Sequence, residues 1–359
     1  MPHNLLLAAG RRPGEPPPRR VAVLRALMLG DLLCAVPAFR ALRAALPAAE
    51  VVLVGLPWAR VLVDRFPHYL DGFLEFPGFP GLPERTPQVG RVPAFLAQMQ
   101  AQRFDLAVQL HGSGPFVNPL VALFGARACA GFHLPGDFCP DPDRFYPWPS
   151  DGTEVRRLLR LMEFLGCPAL GEHLEFPLGP CDAAALAATR GGADLPPGGY
   201  ACVHPGAGAP ERRWPPERFA AVADALAARG LRVVLTGTRE EARLTAAAAR
   251  AMWAPALDLA GRTDLGALGV LLRDARLLVC NDTGVSHLAA ALRTPSVVIS
   301  TGDNPKRWAP ADARLHRVLC RDAGVTVDDV LAQADQLLRQ PRPASTPISE
   351  GNRCVPSAC

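Results

Sequence analysis

The stretch Cys280-Asn281-Asp282-Thr283-Gly284-Val285-Ser286-His287-Leu288 gathers a carboxylate, a hydroxyl, a glycine and an imidazole within one short segment. The apolar run Arg276-Leu277-Leu278-Val279-Cys280 before it predicts a buried parallel strand. Leu288 to Leu292 predicts a helix that Pro295 stops. Asp282-Thr283-Gly284 is therefore a strand-to-helix turn, with Asp282 or Thr283 able to cap the helix and Gly284 open to close approach by a ligand. Exposed N–H groups, a hydroxyl and an imidazole at a helix N-terminus suit a phosphate. A well-capped helix with a buried histidine accounts for the same residues.

Asp31 stands at a comparable place near the start of the chain. Val21 to Arg25 predicts a strand, Ala26 to Asp31 a loop, and about Leu32 to Leu46 a helix with Pro37 early in it. Val51 to Gly55 predicts the next strand, and strand, loop, helix, strand opens a doubly wound sheet. A carboxylate at that helix N-terminus is favoured in its ionised form, whether it accepts a proton in a reaction or only caps the helix.

The elements that position these residues fall into two halves. In the first, residues 77–93 predict a long Pro/Gly-rich connection. Residues 104–110 predict a strand whose end, His111-Gly112-Ser113-Gly114, either meets a ligand or makes a tight turn. Residues 131–152 are irregular and aromatic, and Thr153 to Gly166 predicts a helix. Glycines and prolines cluster over 180–199, where the interdomain connection is expected. In the second half, Tyr200 to Val203 is a strand ending at His204-Pro205-Gly206, and Trp214-Pro215-Pro216-Glu217 opens a helix. Leu231 to Leu235 is a strand followed by Thr238-Arg239-Glu240-Glu241, which has capping-box spacing. Pro295 to Ser300 is a further strand and Val327 to Leu338 a last helix. The expected architecture is α/β, with two Rossmann-like domains facing one another across a ligand cleft. Its expected parts are a disordered segment over 1–20, an N-terminal domain over 21–185, a C-terminal domain over 186–340, and a disordered tail over 341–359.

The chain has 359 residues, 49% hydrophobic and 20% charged, which suits a soluble globular protein with two sizeable cores. A net charge of +4 gives no argument for nucleic acid. Lys306 is the only lysine, so nearly all the basic charge is arginine. Ten cysteines occur without a Cys-x-x-Cys, and Cys34, Cys202 and Cys280 sit in apolar patterns. Cys129, His133 and Cys139 fit a loop with incidental thiols better than a metal site, and a reducing cytosol is expected. No stretch is long and apolar enough to span a membrane. Leu5 to Gly10 followed by Arg11-Arg12 has the charge order of a signal peptide reversed.

Taken together, these segments resemble glycosyltransferase family 9, which includes the ADP-heptose:lipopolysaccharide heptosyltransferases. The resemblance covers roughly residues 21–340 and rests on Leu29-Gly30-Asp31 with Pro37-Ala38 and Leu42, His204-Pro205-Gly206, Arg212-Arg213-Trp214-Pro215, and Asp282 to Leu288. It implies a GT-B fold, an inverting mechanism, an ADP-heptose donor, and a lipid-linked saccharide acceptor at the cytoplasmic face of the inner membrane, with peripheral membrane contact. It also implies that the N-terminal domain takes the acceptor and the C-terminal domain the nucleotide sugar. No cofactor, metal or nucleic acid is expected. Asp31 becomes the candidate general base. Asp282, Thr283, Gly284 and His287 become the donor phosphate site, together with Arg212, which stands where relatives often carry lysine; a solvated surface arginine is its alternative. Glu241 becomes the candidate for the ribose hydroxyls, in competition with its capping role and with Glu240 as the other register, and Thr263 lies near the base. Arg25, Arg40, Arg43 and Arg60 either meet an acidic acceptor or are ordinary surface arginines.

A nicotinamide oxidoreductase is also doubly wound, but Leu27 to Asp31 lacks its Gly-x-Gly-x-x-Gly. A non-catalytic sugar-nucleotide-binding protein on the same fold is the second rival. Transfer or donor hydrolysis by the purified chain separates it from an enzyme.

Overall fold

The computed structural model describes residues 10–349, apart from 303 and 321–323. The chain divides into two compact units, Met1–Glu172 and His173–Cys359.

The first unit runs β1 (Arg20–Leu24), α1 (Leu29–Ala45), β2 (Glu50–Gly55), α2 (Arg60–Arg65), β3 (Gly72–Glu75), α3 (Val92–Ala101), β4 (Leu106–Gln109), α4 (Val117–Ala122), β5 (Ala128–His133), β6 (Phe145–Pro147) and α5 (Glu154–Phe164). The second runs α6 (Pro180–Ala188), β7 (Tyr200–His204), α7 (Pro216–Ala228), β8 (Arg232–Leu235), α8 (Ala242–Ala251), β9 (Ala256–Asp258), α9 (Leu265–Asp274), β10 (Leu277–Asn281), α10 (Gly284–Ala291), β11 (Ser296–Ile299), α11 (Pro305–Trp308), β12 (His316–Leu319) and α12 (Val327–Arg339).

Each unit carries a six-stranded sheet, ordered β3-β2-β1-β4-β5-β6 and β12-β11-β10-β7-β8-β9. Within each unit the first strand lies beside the fourth, which is the doubly wound order with its reversal between those strands. All the pairings are parallel: Val21 pairs with Val51 on one side and Leu106 on the other, and Cys280 pairs with His204 and Val298. Central strands of such sheets have both faces covered, so β10 is buried at every position and reads as a continuous apolar run. One core gathers Ala22, Leu24, Val54, Phe95, Phe104 and Leu120; the other gathers Val203, Phe219, Val279, Val297 and Leu337.

Several boundaries differ from expectation. The N-terminal segment is placed from residue 10: Gly10 is buried, its N–H donates to the Leu165 carbonyl at 2.8 Å, and Glu15 pairs with Arg144 at 2.7 Å. The units part at 172/173 rather than within 180–199 or at 185/186, because Phe176 and Leu178 are buried against Gly269 of α9 and α6 packs on the same helix. Gly and Pro there cap and start a helix that belongs to the second unit. The tail is placed to residue 349, with Ile348 bridging to Leu178 and Arg342 donating to the Arg273 carbonyl at 2.6 Å; the rest of 341–359 lies outside the described residues.

The aromatic segment 131–152 is not wholly irregular. Gly131, Phe132 and His133 of β5 pair with Phe145, Tyr146 and Pro147 of β6, extending the sheet. The 77–93 connection ends in α3, with Pro93 in its first turn. The helix carrying Asp31 begins at Leu29, so Pro37 lies inside it rather than near its start.

Candidate functional site

At the exit of β10, one amide joins three sequence motifs. Asn281 is fully buried; its Oδ1 accepts the Trp214 N–H at 3.0 Å and its Nδ2 donates to the Pro205 carbonyl at 2.9 Å. The His204-Pro205-Gly206 turn, the Arg212–Trp214 segment and the Asp282 turn are thereby held together. Sequence reasoning passed over Asn281; a polar residue closing an apolar strand was the signal available.

The turn itself is built as follows. The Asp282 N–H donates to the Ile299 carbonyl at 2.9 Å, which seats the turn beside the end of β11. Ser300 Oγ donates to Asp282 Oδ2 at 3.4 Å. Arg212 Nη2 donates to the Asp282 carbonyl at 2.9 Å, so the guanidinium lies against the turn and is not a solvated surface group. Thr283 is the N-cap of α10, and its side chain makes no capping hydrogen bond. Ser286 folds its hydroxyl back onto the Thr283 carbonyl at 2.7 Å. The N–H groups of the first turn of α10 and its positive dipole end suit an anion. Thr283 and Gly284 are half-buried, and His287 is 5% exposed with its ring 6.1 Å from that of Trp308 in a T-shaped contact. Trp308 also escaped the sequence reading; it follows Lys306 and Arg307, and Arg307 lies over its ring at 4.5 Å.

Glu241 lies beside the same motif. Its Oε2 accepts the Thr238 N–H at 2.8 Å, and Thr238 Oγ1 accepts the Glu241 N–H at 3.3 Å. This is the reciprocal pattern of a capping box, yet α8 starts only at Ala242, so the pattern closes a turn ahead of the helix. The carboxylate presses on Gly206, where a Cβ would sit 2.1 Å from Glu241 Oε1, so any larger residue there would displace that carboxylate. His204 Nε2 is 3.7 Å from Glu241 Oε2, and its Nδ1 meets Thr236 Oγ1 at 3.1 Å. Burial holds the His204 imidazole below its ordinary range, while the Glu241 charge pulls the other way. Glu240 is exposed, so Glu241 is the acidic residue turned toward the His204-Pro205-Gly206 turn. Thr263 is half-buried just before the α9 cap Asp264, in a loop joined to the 237–241 turn by the Gly261 N–H donating to the Gly237 carbonyl at 2.9 Å.

In the first unit, Asp31 is the third residue of α1 and Met28 is the N-cap, so a plain N-cap role for Asp31 does not hold. The Asp31 side chain is 23% exposed. Arg25 was expected either at an acidic acceptor or at the surface, and it is at neither: it is 1% exposed and bonded inside the unit. Arg40 donates to the Gly171 carbonyl, Arg43 pairs with Asp71, and Arg60 lies over the Phe73 ring. His111 is buried, with its Nδ1 accepting the Ala26 N–H at 3.1 Å and its Nε2 3.3 Å from Glu84, which favours a packed strand end over an open ligand contact.

The chain carries one Asp-x-Asp pair, Asp141-Pro142-Asp143. Its carboxylates are engaged by arginines: Asp141 by Arg144 at 2.5 Å and Arg12 at 3.1 Å, and Asp143 by Arg12 at 2.9 Å. Among the described residues no three His, Cys, Asp or Glu side chains converge as metal ligands, and burial raises the Cys129 thiol to about 11. Among the described residues Cys129, Cys139, Cys202, Cys280 and Cys320 are free thiols.

Residues 94–326 match the family model described as glycosyltransferase family 9 (heptosyltransferase). Lipopolysaccharide heptosyltransferase 2 of Escherichia coli K12 is 25% identical, over 84% of this chain and 88% of the relative. A glycosyl transferase family 9 crystal structure from Veillonella parvula superposes with a TM-score of 0.74 at 19% identity, covering 94% of this chain and 99% of that one. A structure described as E. coli ADP-heptose lps heptosyltransferase II gives 0.66 at 23% identity, covering 89% and 98%. These likenesses show the GT-B fold, two Rossmann-like domains each built on one of the sheets above.

Proposed function

Because the chain belongs to glycosyltransferase family 9, we propose that this enzyme moves a heptose from ADP-heptose onto a lipopolysaccharide-core or related saccharide, with inversion and without a metal ion. What supports a diphosphate donor is the single cluster at the exit of β10: the N-terminus of α10, Arg212 bonded to the Asp282 carbonyl, and His287 in the first turn. Relatives named for ADP-heptose and for lipopolysaccharide supply the sugar and the acceptor class.

In this reading the acceptor hydroxyl loses its proton to the Asp31 carboxylate as its oxygen attacks the anomeric carbon opposite the diphosphate. The bond from that carbon to the diphosphate oxygen breaks, and negative charge grows on the leaving group. Fixed N–H dipoles of α10, the Arg212 guanidinium and the Thr283 and His287 side chains stabilise it without having to reorganise. Glu241 takes the ribose hydroxyls, and Thr263 lies near the base. The lipid-linked acceptor would bring the enzyme to the cytoplasmic face of the inner membrane as a peripheral protein; among the described residues no helix is long and apolar enough to cross a membrane.

The test is Asp31→Asn. The variant should fold, bind ADP in calorimetric titration as the wild type does, and turn over on the order of a hundredfold more slowly. Normal ADP binding with wild-type turnover would remove Asp31 from the chemistry.

A further inference from the structure

Among the described residues Arg25 heads the largest fully buried side chains, and its guanidinium reaches the backbone at Asp31. Its Nε donates to the Asp31 carbonyl at 2.8 Å, its Nη1 to the Leu110 carbonyl, and its Nη2 to Glu154 Oε1 at 3.1 Å. The same Nη2 lies 3.9 Å from Asp31 Oδ1. Glu154 is 2% exposed, and its other oxygen takes Arg157 Nη1 at 3.0 Å, with the Arg157 guanidinium 4.4 Å over the Trp148 ring. One side chain therefore joins the exits of β1 and β4 to the first turns of α1 and α5.

A buried guanidinium–carboxylate–guanidinium chain is a poor stability device, because apolar residues of similar volume often serve as well or better. Its geometry answers a different need. The fork fixes the backbone at Asp31, and its charge acts on the Asp31 carboxylate through protein rather than water. Glu154 divides that charge with Asp31. Other ionisable groups at these strand and helix ends include Arg157, behind Glu154, Arg156, which pairs with Glu163, and His111 at the exit of β4, which accepts the Ala26 N–H and faces Glu84 of the 77–91 segment.

We propose that Arg25 is a positioning residue for the general base, holding Asp31 in place and ionised, with Glu154 setting how much of its charge reaches Asp31. This rests on the reading of Asp31 as the base. It predicts opposite effects from two neutral substitutions in the same network. Arg25→Gln removes the cation, so the acid limb of the kcat/KM profile should move up by about one pH unit or more, with kcat down at least tenfold and ADP affinity within twofold of wild type. Glu154→Gln removes the competing anion, so the acid limb should move down. Arg25→Lys keeps the charge without the fork, so the limb should stay near wild type while kcat falls several-fold.

Shifts of the two neutral variants in the same direction, or no shift in either, would make Arg25 a packing residue and overturn the proposal. If Arg25→Gln does not fold, Glu154→Gln decides alone: a downward shift supports the proposal, and an unmoved or raised limb overturns it. Asp31→Asn, measured alongside, separates the two readings. Wild-type turnover there removes the base itself, whereas slow turnover with unmoved limbs in the network variants removes only the role of Arg25.

Discussion

His287 is the residue on which the phosphate reading turns, and its burial at 5% exposure beside Trp308 fits both a ligand-facing imidazole and a core histidine. Calorimetry on His287→Ala distinguishes them. A hydrogen bond to a charged group contributes roughly 1.5–3 kcal/mol, so ADP affinity should weaken about tenfold to a hundredfold, and AMP affinity less, if the imidazole serves the distal phosphate. Equal ADP affinity would make it a core residue. Gly284→Val should weaken both nucleotides, since a β-branched side chain at the first turn of α10 blocks the approach to its N–H groups. At this scale the sequence announced the strand-to-helix turn at Asp282 to His287, and the structure brings Arg212 against it. It was not legible where function is indirect. Asn281 binds two other motifs only once β7 and β10 lie side by side, and Arg25 looks like any arginine until Leu110 and Glu154, distant in sequence, close around it.

Elements read well where the apolar run was long and badly where the strand was short. β10 and β7 stand out as runs, but β6 is three residues and exists because β5 offers it an edge. The unit boundary was misplaced for a related reason: glycine and proline mark turns, and only packing shows that the turns before and after α6 belong to one body. A fragment beginning at 173 should therefore be more stable than one beginning at 186, which loses buried Phe176 and Leu178 from beside α9. Each such side chain contributes about 1.5–3 kcal/mol, so the thermal midpoint of the shorter fragment should fall by several degrees; equal midpoints would return the boundary to the glycine cluster. The edge pairing of β11 with β12 adds a pH term. His316 is buried against Ser296 Oγ at 2.8 Å, and burial lowers it to about 4 from 6.5. The unfolded chain then takes up the proton first as pH falls, so this stabilisation is complete above 6.5 and is lost between 6.5 and 4. Urea midpoints should drop from pH 7 to pH 5 by up to about 2 kcal/mol equivalent, and His316→Gln should flatten the drop. His204 acts with the same sign, so a residual slope is expected. An unchanged slope in the variant would show that His316 does not set it.

For the whole molecule, the repeated strand order is the feature that the alternation of strands and helices announced most plainly, and it assigns the candidate groups to separate units. Asp31 belongs to the first, while Arg212, Glu241, Thr263 and Asp282 to His287 belong to the second. The same division bears on metal dependence. Metal-assisted transfer needs carboxylates positioned to hold a cation against the diphosphate. The Asp-x-Asp pair lies in the first unit and is bound by Arg12 and Arg144, groups that already neutralise it. The donor turn instead brings its own positive charge, as the α10 terminus and the Arg212 guanidinium. Transfer should therefore proceed at an unchanged rate in excess EDTA, followed as ADP release with a heptose donor and a saccharide acceptor. Added Mg²⁺ or Mn²⁺ should leave the rate within about twofold, because a cation has no group at the turn to replace. Arg212→Met should lower turnover far more than chelation does, since it removes the charge proposed to meet the leaving diphosphate. Activity abolished by EDTA and restored by a divalent ion would reverse this assignment, and would require an acidic ligand set near the donor in place of the arginine.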